Sequence, residues 1–175
     1  MKVGLTGHQD LGSSENRAWV ANALRKEIAK PSLTEGFTSL ANGADQLYAL
    51  LLTQIGKPYT VVVPCRRYEL TFTSLDIRDR YRHLLDGARE RVDLDFVEPT
   101  EEAFWAAGKK VVELSDYLIA VWNGRPAKGL GGTADVVRFG LNQGKLVVHI
   151  NLLTRTVRRL GQPASCSSSD AYRDV

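Results

Sequence analysis

The apolar positions of this chain fall into short runs and helical stripes that alternate along its length. Lys2–Thr6, Phe37–Ala41, Tyr59–Val63, Asp95–Val97, Asp116–Trp122 and Leu146–Ile150 read as strands, being short, rich in branched or aromatic residues and bounded by turn formers. Between them the apolar spacing changes to that of a helix. Ser13 or Ser14 caps a helix whose inner face includes Ala18, Val20, Ala21, Leu24 and Ile28 and which stops before Pro31. A second helix opens near Gln46 and runs through Leu47, Leu50, Leu51 and Ile55 to Gly56. A charge-dense stretch from Ser74 to Arg91 turns Ile77, Tyr81, Leu84, Leu85 and Ala88 inward, with opposite charges at helical spacing on the other side. Thr100 caps a helix reaching Leu114, and Thr133 caps one that carries Val136, Val137, Phe139 and Leu141 up to Gly144.

Strands alternating with helices predict an α/β domain over residues 1–153, with a mainly parallel sheet and helices on both faces. Ligands of such sheets sit outside the carboxyl ends of the strands. Four turns follow strands and so share that edge: Thr6-Gly7-His8-Gln9, Asn42-Gly43-Ala44-Asp45-Gln46, Pro64 to Tyr68, and Trp122 to Asp135. The last contains Gly129-Leu130-Gly131-Gly132-Thr133-Ala134-Asp135, a glycine-rich turn leading into a helix. Glycine allows an anion to approach the backbone, and the free N–H groups and positive dipole end of a helix can hold it there. The edge is therefore expected to bind a nucleotide, with this turn as a phosphate-binding loop.

Individual residues keep two readings. Asp45 either contacts the ligand or caps its helix. His8 contacts phosphate or is a solvated turn residue. Arg66 and Arg67 pair with phosphates or are ordinary surface arginines. Tyr68 and Trp122 stack on a base or belong to the core. Asn123 and Gly124 form the turn itself.

Composition narrows the picture only slightly. The hydrophobic share of 43% and the charged share of 25% are those of an ordinary globular domain. Twenty-three basic against twenty acidic residues leave a net charge of +3, which argues against nucleic acid as the partner. Cys65 and Cys166 have no metal-type spacing and the three histidines are scattered, so neither a metal nor a cofactor is expected. No segment has the pattern of a signal peptide or the length of a membrane span, which makes the cytoplasm the default location. From Thr154 to Val175 the composition turns basic and serine-rich and reads as a tail, packed against the domain or against a second subunit of a homo-oligomer.

Thr6-Gly7-His8, Gly43-Ala44-Asp45-Gln46, Val63-Pro64 with Tyr68 and Phe72, Ser115-Asp116, Ala120 to Gly124, and Gly131 to Val137 together resemble the SLOG superfamily. This group joins the cytokinin-activating Lonely Guy enzymes to DNA-processing protein A and to nucleotide-sensing domains of bacterial conflict systems. The resemblance runs from about Val3 to Ile150. It implies a Rossmann-like three-layer sandwich and a nucleotide or nucleotide-derived ligand touching Thr6, Gly7, His8, Gly43, Ala44, Asp45, Gln46, Pro64, Arg67, Tyr68, Trp122, Asn123, Gly131, Gly132, Thr133 and Asp135.

The Lonely Guy branch hydrolyses the N-glycosidic bond of nucleoside monophosphates with a Gly-Gly-x-Gly-Thr-x-x-Glu motif. Anchored on Thr133, that motif matches Gly129 and Gly132, but Leu130 replaces a glycine and Val136 stands where the glutamate belongs. Valine cannot support an oxocarbenium-like centre, so hydrolysis would have to rest on Asp135. A carboxylate in the first helical turn suits support of a cationic sugar transition state better than proton abstraction, and it suits a ribose hydroxyl equally; ribose binding is the favoured role of Asp135. Two functions follow as expectations: a binding module that holds its ligand without turnover, and an N-glycosidase using Asp135. A third, single-stranded DNA handling, is suggested by the resemblance to DNA-processing protein A and disfavoured by the modest net charge.

Overall fold

The computed structural model describes residues 1–127 and 129–161. Among the described residues seven strands form one sheet in the order β4-β3-β2-β1-β5-β6-β7. They are β1 (Lys2–Gly7), β2 (Glu35–Thr38), β3 (Tyr59–Val63), β4 (Glu90–Asp93), β5 (Tyr117–Val121), β6 (Leu146–Asn151) and β7 (Thr156–Leu160). The first six are parallel, and β7 returns antiparallel along β6. Five helices connect them: α1 (Ser14–Ile28), α2 (Ala44–Gln54), α3 (Leu75–Asp86), α4 (Glu101–Leu114) and α5 (Thr133–Asn142).

Alternation along the strands builds a core on each face of the sheet. Val61, Val63, Tyr117, Ile119 and Val121 pack with α1, α2 and α3, whereas Val62, Leu118 and Ala120 pack mainly with α4 and α5. Each fully buried aliphatic side chain contributes roughly 1.5–3 kcal/mol. Going from β1 to β4 the chain moves outward in one direction, then crosses to β5 on the other side of β1 and proceeds the other way. Right-handed crossovers put the helices of the two directions on opposite faces. The reversal leaves a crevice at the carboxyl ends of β1 and β5.

Several expectations need correction. The second strand is Glu35–Thr38 rather than Phe37–Ala41, because Leu40 adopts a left-handed φ of 56° and ends the extended run. Asp95–Val97 is not a strand. The neighbour of β3 is Glu90–Asp93, an edge strand with Glu90, Arg91 and Asp93 in solvent, so no apolar run marks it. Phe96 and Val97 instead offer carbonyls to the N–H groups of Arg66 and Arg67 in a loop. Thr156–Leu160 was expected in the tail and forms β7, whose central residues are exposed. Residues 162–175, including Cys166 and the serine run, lie outside the described residues. Ala18, Leu50 and Ile55, read as inward, face solvent. Among the described residues no helix is long and apolar enough to cross a membrane.

Candidate functional site

The crevice is a cleft of about 990 Å³ at the carboxyl edge. The turn after β1 forms its centre. The His8 N–H donates to the Val121 carbonyl at 2.9 Å, tying that turn to β5 across the reversal. Thr6, Gly7 and His8 all line the cleft.

One wall is the β2–α2 connection. Gly43 is the N-cap of α2, with φ +86°. A Cβ there would collide with the carbonyl oxygens of Gln9 and His8, so only glycine lets the two turns meet. The N–H of Ala44 donates to His8 O at 3.1 Å and that of Gln46 to Ala41 O at 3.2 Å. Gln46 is buried and its side-chain amide donates to the Leu40 and Ile77 carbonyls. Gly43, Ala44 and Gln46 therefore hold the wall together and do not line the cleft.

Asp45 does line it. The residue is 5% exposed. Its Oδ2 accepts from Thr38 Oγ1 at 2.9 Å and from Ser39 N at 3.1 Å, so it reaches back to β2 instead of capping the helix at Gln46. Burial pushes its carboxyl up to about 7, against the opposing effect of these hydrogen bonds.

The second wall is aromatic. Tyr68 opens a 3-10 turn (Tyr68–Thr71) and packs edge-on to Phe72 and Tyr81, with ring centroids 5.3 and 5.7 Å away. It is both core and lining, and Pro64, Phe72 and Phe104 line the cleft beside it. Burial holds the Tyr68 hydroxyl well above its ordinary range. Arg67 is not part of the lining: its guanidinium pairs with Glu98 at 2.7 Å in solvent, and Arg66 pairs with Asp95 at 3.6 Å.

The third wall is the β5–α5 loop. Trp122 lies against the His149 ring at 4.9 Å between centroids and donates its Nε1–H to Arg125 O at 2.7 Å. His149 Nε2 is 3.0 Å from the Trp122 carbonyl, an acceptor, so that nitrogen carries the proton. The Asn123 N–H donates to His8 Nε2 at 3.4 Å, which assigns the opposite tautomer to His8. Trp122 and Asn123 both line the cleft.

Further along, Gly131 has φ +81°, and a Cβ there would lie 2.7 Å from Trp105 N. Leu130 N donates to Glu101 Oε2 at 3.0 Å, which fastens the loop to the start of α4. The N-cap of α5 is Gly132, not Thr133, and no side chain caps it. By contrast α1 and α4 are capped by Ser13 and Thr100. The first N–H groups of a helix have no carbonyl within reach. Thr133 and Ala134, the first two residues of α5, both line the cleft.

Asp135 is placed differently. Its carboxylate accepts from Arg138 Nη2 at 2.7 Å, and the residue does not line the cleft, whereas Val136 does. The helix thus turns a methyl-bearing side chain toward the site and the acid away from it. Sequence reading missed Asp10, Glu101 and Arg125 as lining residues. Glu101 lies 29 residues from its partner and looked like an ordinary first-turn acid, so nothing local pointed to it.

No protein-family model and no curated protein matches the chain. Solved structures do. DNA processing protein A from Streptococcus pneumoniae aligns with a TM-score of 0.62 at 15% identity, over 95% of this chain and 52% of its own. The Helicobacter pylori protein of that name, described for its single-stranded DNA binding mode, gives 0.61 at 18% identity, over 85% of this chain and 64% of its own. A molybdenum cofactor binding protein from Rippkaea orientalis gives 0.56 at 16%, over 86% and 76%. The fold is the Rossmann-like α/β fold that these structures share. The chain spans about half to two-thirds of the length of the two DNA processing proteins.

Proposed function

We propose that this protein binds a nucleotide or nucleotide-derived ligand in the cleft at the carboxyl edge of the sheet and holds it without turnover. One observation carries the reading: α5 begins on Gly132 with no side-chain cap and opens onto a cleft of about 990 Å³. Such a helix start holds an anion, and a volume of that size accommodates a nucleotide. The cleft walls supply the rest of the chemistry. Tyr68 and Trp122 offer aromatic surface to a base, and Asp45 offers a carboxylate to ribose hydroxyls. Fold neighbours named for binding a molybdenum cofactor and single-stranded DNA support a ligand of this general kind. Cleavage of an N-glycosidic bond has less support, because Asp135 is bound to Arg138 outside the cleft and Val136 stands inside it.

The test is a thermal-shift panel of nucleoside monophosphates, dinucleotides and short single-stranded oligonucleotides, with chromatography of each mixture. A ligand at 100 times its Kd stabilises the fold by about 2.7 kcal/mol, a rise of several degrees. The expected result is such a rise with at least one small nucleotide and no free base. Release of base would replace binding by hydrolysis, and salt-dependent binding of oligonucleotides alone would replace the small ligand by nucleic acid. No shift with any compound would remove the reading.

A further inference from the structure

The glycine loop already holds an anion, and that anion belongs to the protein. Glu101 Oε2 accepts the N–H of Leu130 at 3.0 Å, and a Cβ on Gly129 would collide with Oε1 of the same carboxylate. Glu101 is the first residue of α4, held there by the Thr100 cap, and it lines the cleft. Leu130 gives its N–H to Glu101, while Thr133 and Ala134, three and four residues on, line the ligand space. Two more acids, Asp10 and Asp45, line the same cleft, and among the described lining residues only Arg125 carries a guanidinium. Arg67 and Arg138 are engaged by Glu98 and Asp135 and line no part of it.

We propose that Glu101 is a specificity-determining residue that restricts the cleft to ligands carrying a single anionic group. This rests on the nucleotide reading above. One phosphate is held by the start of α5; a second or third phosphate extending along the loop meets the Glu101 carboxylate. Glu101 is exposed, and like charges at contact distance in water weaken affinity by about threefold to tenfold for each added charge.

The experiment is calorimetric titration of the full chain with the mono-, di- and triphosphates of the four ribonucleosides, in EDTA so that no divalent cation masks the charge. Affinity is expected to fall with every added phosphate. Glu101→Gln keeps an oxygen that accepts from Leu130 and removes the charge; it should flatten that series by about threefold or more. Wild-type affinity that is level or rises with phosphate number overturns the proposal. A falling series that Glu101→Gln leaves unchanged removes Glu101 as its cause. Absence of binding by all twelve compounds removes the nucleotide reading, and this proposal with it.

Discussion

Helices α2 and α5 both begin on a glycine at the same edge of the sheet, Gly43 and Gly132, and neither has a side-chain cap. At α2 the backbone is satisfied internally: Ala44 and Gln46 donate to carbonyls of neighbouring turns, and the acid that follows, Asp45, is buried against β2. Gly43 sits at φ +86° because nothing larger fits. At α5 the N-cap is at φ −68°, a conformation open to any residue, and the first two helical residues line the cleft. The acid that follows, Asp135, accepts from Arg138 and does not line the cleft. One glycine makes a joint and the other leaves an opening. A glycine-capped helix start is thus a binding feature only where the surrounding chain has left its donors unused.

The sharpest way to break this comparison is to add a methyl group at each glycine. Gly43→Ala forces a left-handed φ and a clash with two carbonyl oxygens, and should cost about 2–4 kcal/mol in denaturant or thermal unfolding. If the variant unfolds like the parent, the joint is not what holds the two turns together. The next effect in size concerns Asp45. Its folded value of about 7 lies above the ordinary 3.8, so the folded state holds the proton more tightly than the unfolded one. Stability is then fully present below about pH 4, is lost as pH rises toward 7, and levels off above that. Asp45→Asn should remove that slope and exceed the parent by about 2–4 kcal/mol at pH 8 while matching it at pH 4. Parallel stability curves would show that the carboxyl is not held protonated.

Gly132→Ala tests the opening. Its φ tolerates alanine, but the added carbon would lie 2.8 Å from the rigid Ala127 Cβ, so the loop must shift and stability should fall by about 1–2 kcal/mol, less than at Gly43. Nucleotide affinity should drop about tenfold as the methyl group obstructs the donors. Loss of stability without loss of affinity would make Gly132 a joint like Gly43. The smallest effect is expected at Asp135→Asn, with affinity within about twofold, because Asp135 pairs with Arg138 and does not line the cleft. A loss of tenfold or more would return Asp135 to the site.

The parallel sheet was legible because its central strands are continuous apolar runs, as in Tyr59–Val63 and Tyr117–Val121, which water could not solvate. The shared edge followed from topology, and it brings Thr6, His8, Asp45, Pro64, Tyr68, Trp122, Asn123 and Gly131 to Thr133 around one cleft. What escaped were relations between distant residues. Whether Arg67 meets a ligand or Glu98 depends on a partner 31 positions away. Whether Asp45 caps or is buried depends on Thr38 and Ser39 folding over it. The orientation of Asp135 relative to Val136 is set by the packing of α5 on α4, where a Cβ on Gly108 would meet Val136 Cγ2 at 2.5 Å.

The two strands hidden from the hydrophobic pattern are the two at the margins, β4 with Glu90, Arg91 and Asp93 and β7 with Arg158 and Arg159. Each margin presents backbone groups that could template another chain, and charge is what makes such addition unfavourable. The feature that concealed these strands is also what keeps the sheet finite: a newly synthesised copy meets a ring of like-solvated ions rather than a bare ladder. Replacing those charges with valine would make the segments easier to recognise and the protein easier to aggregate.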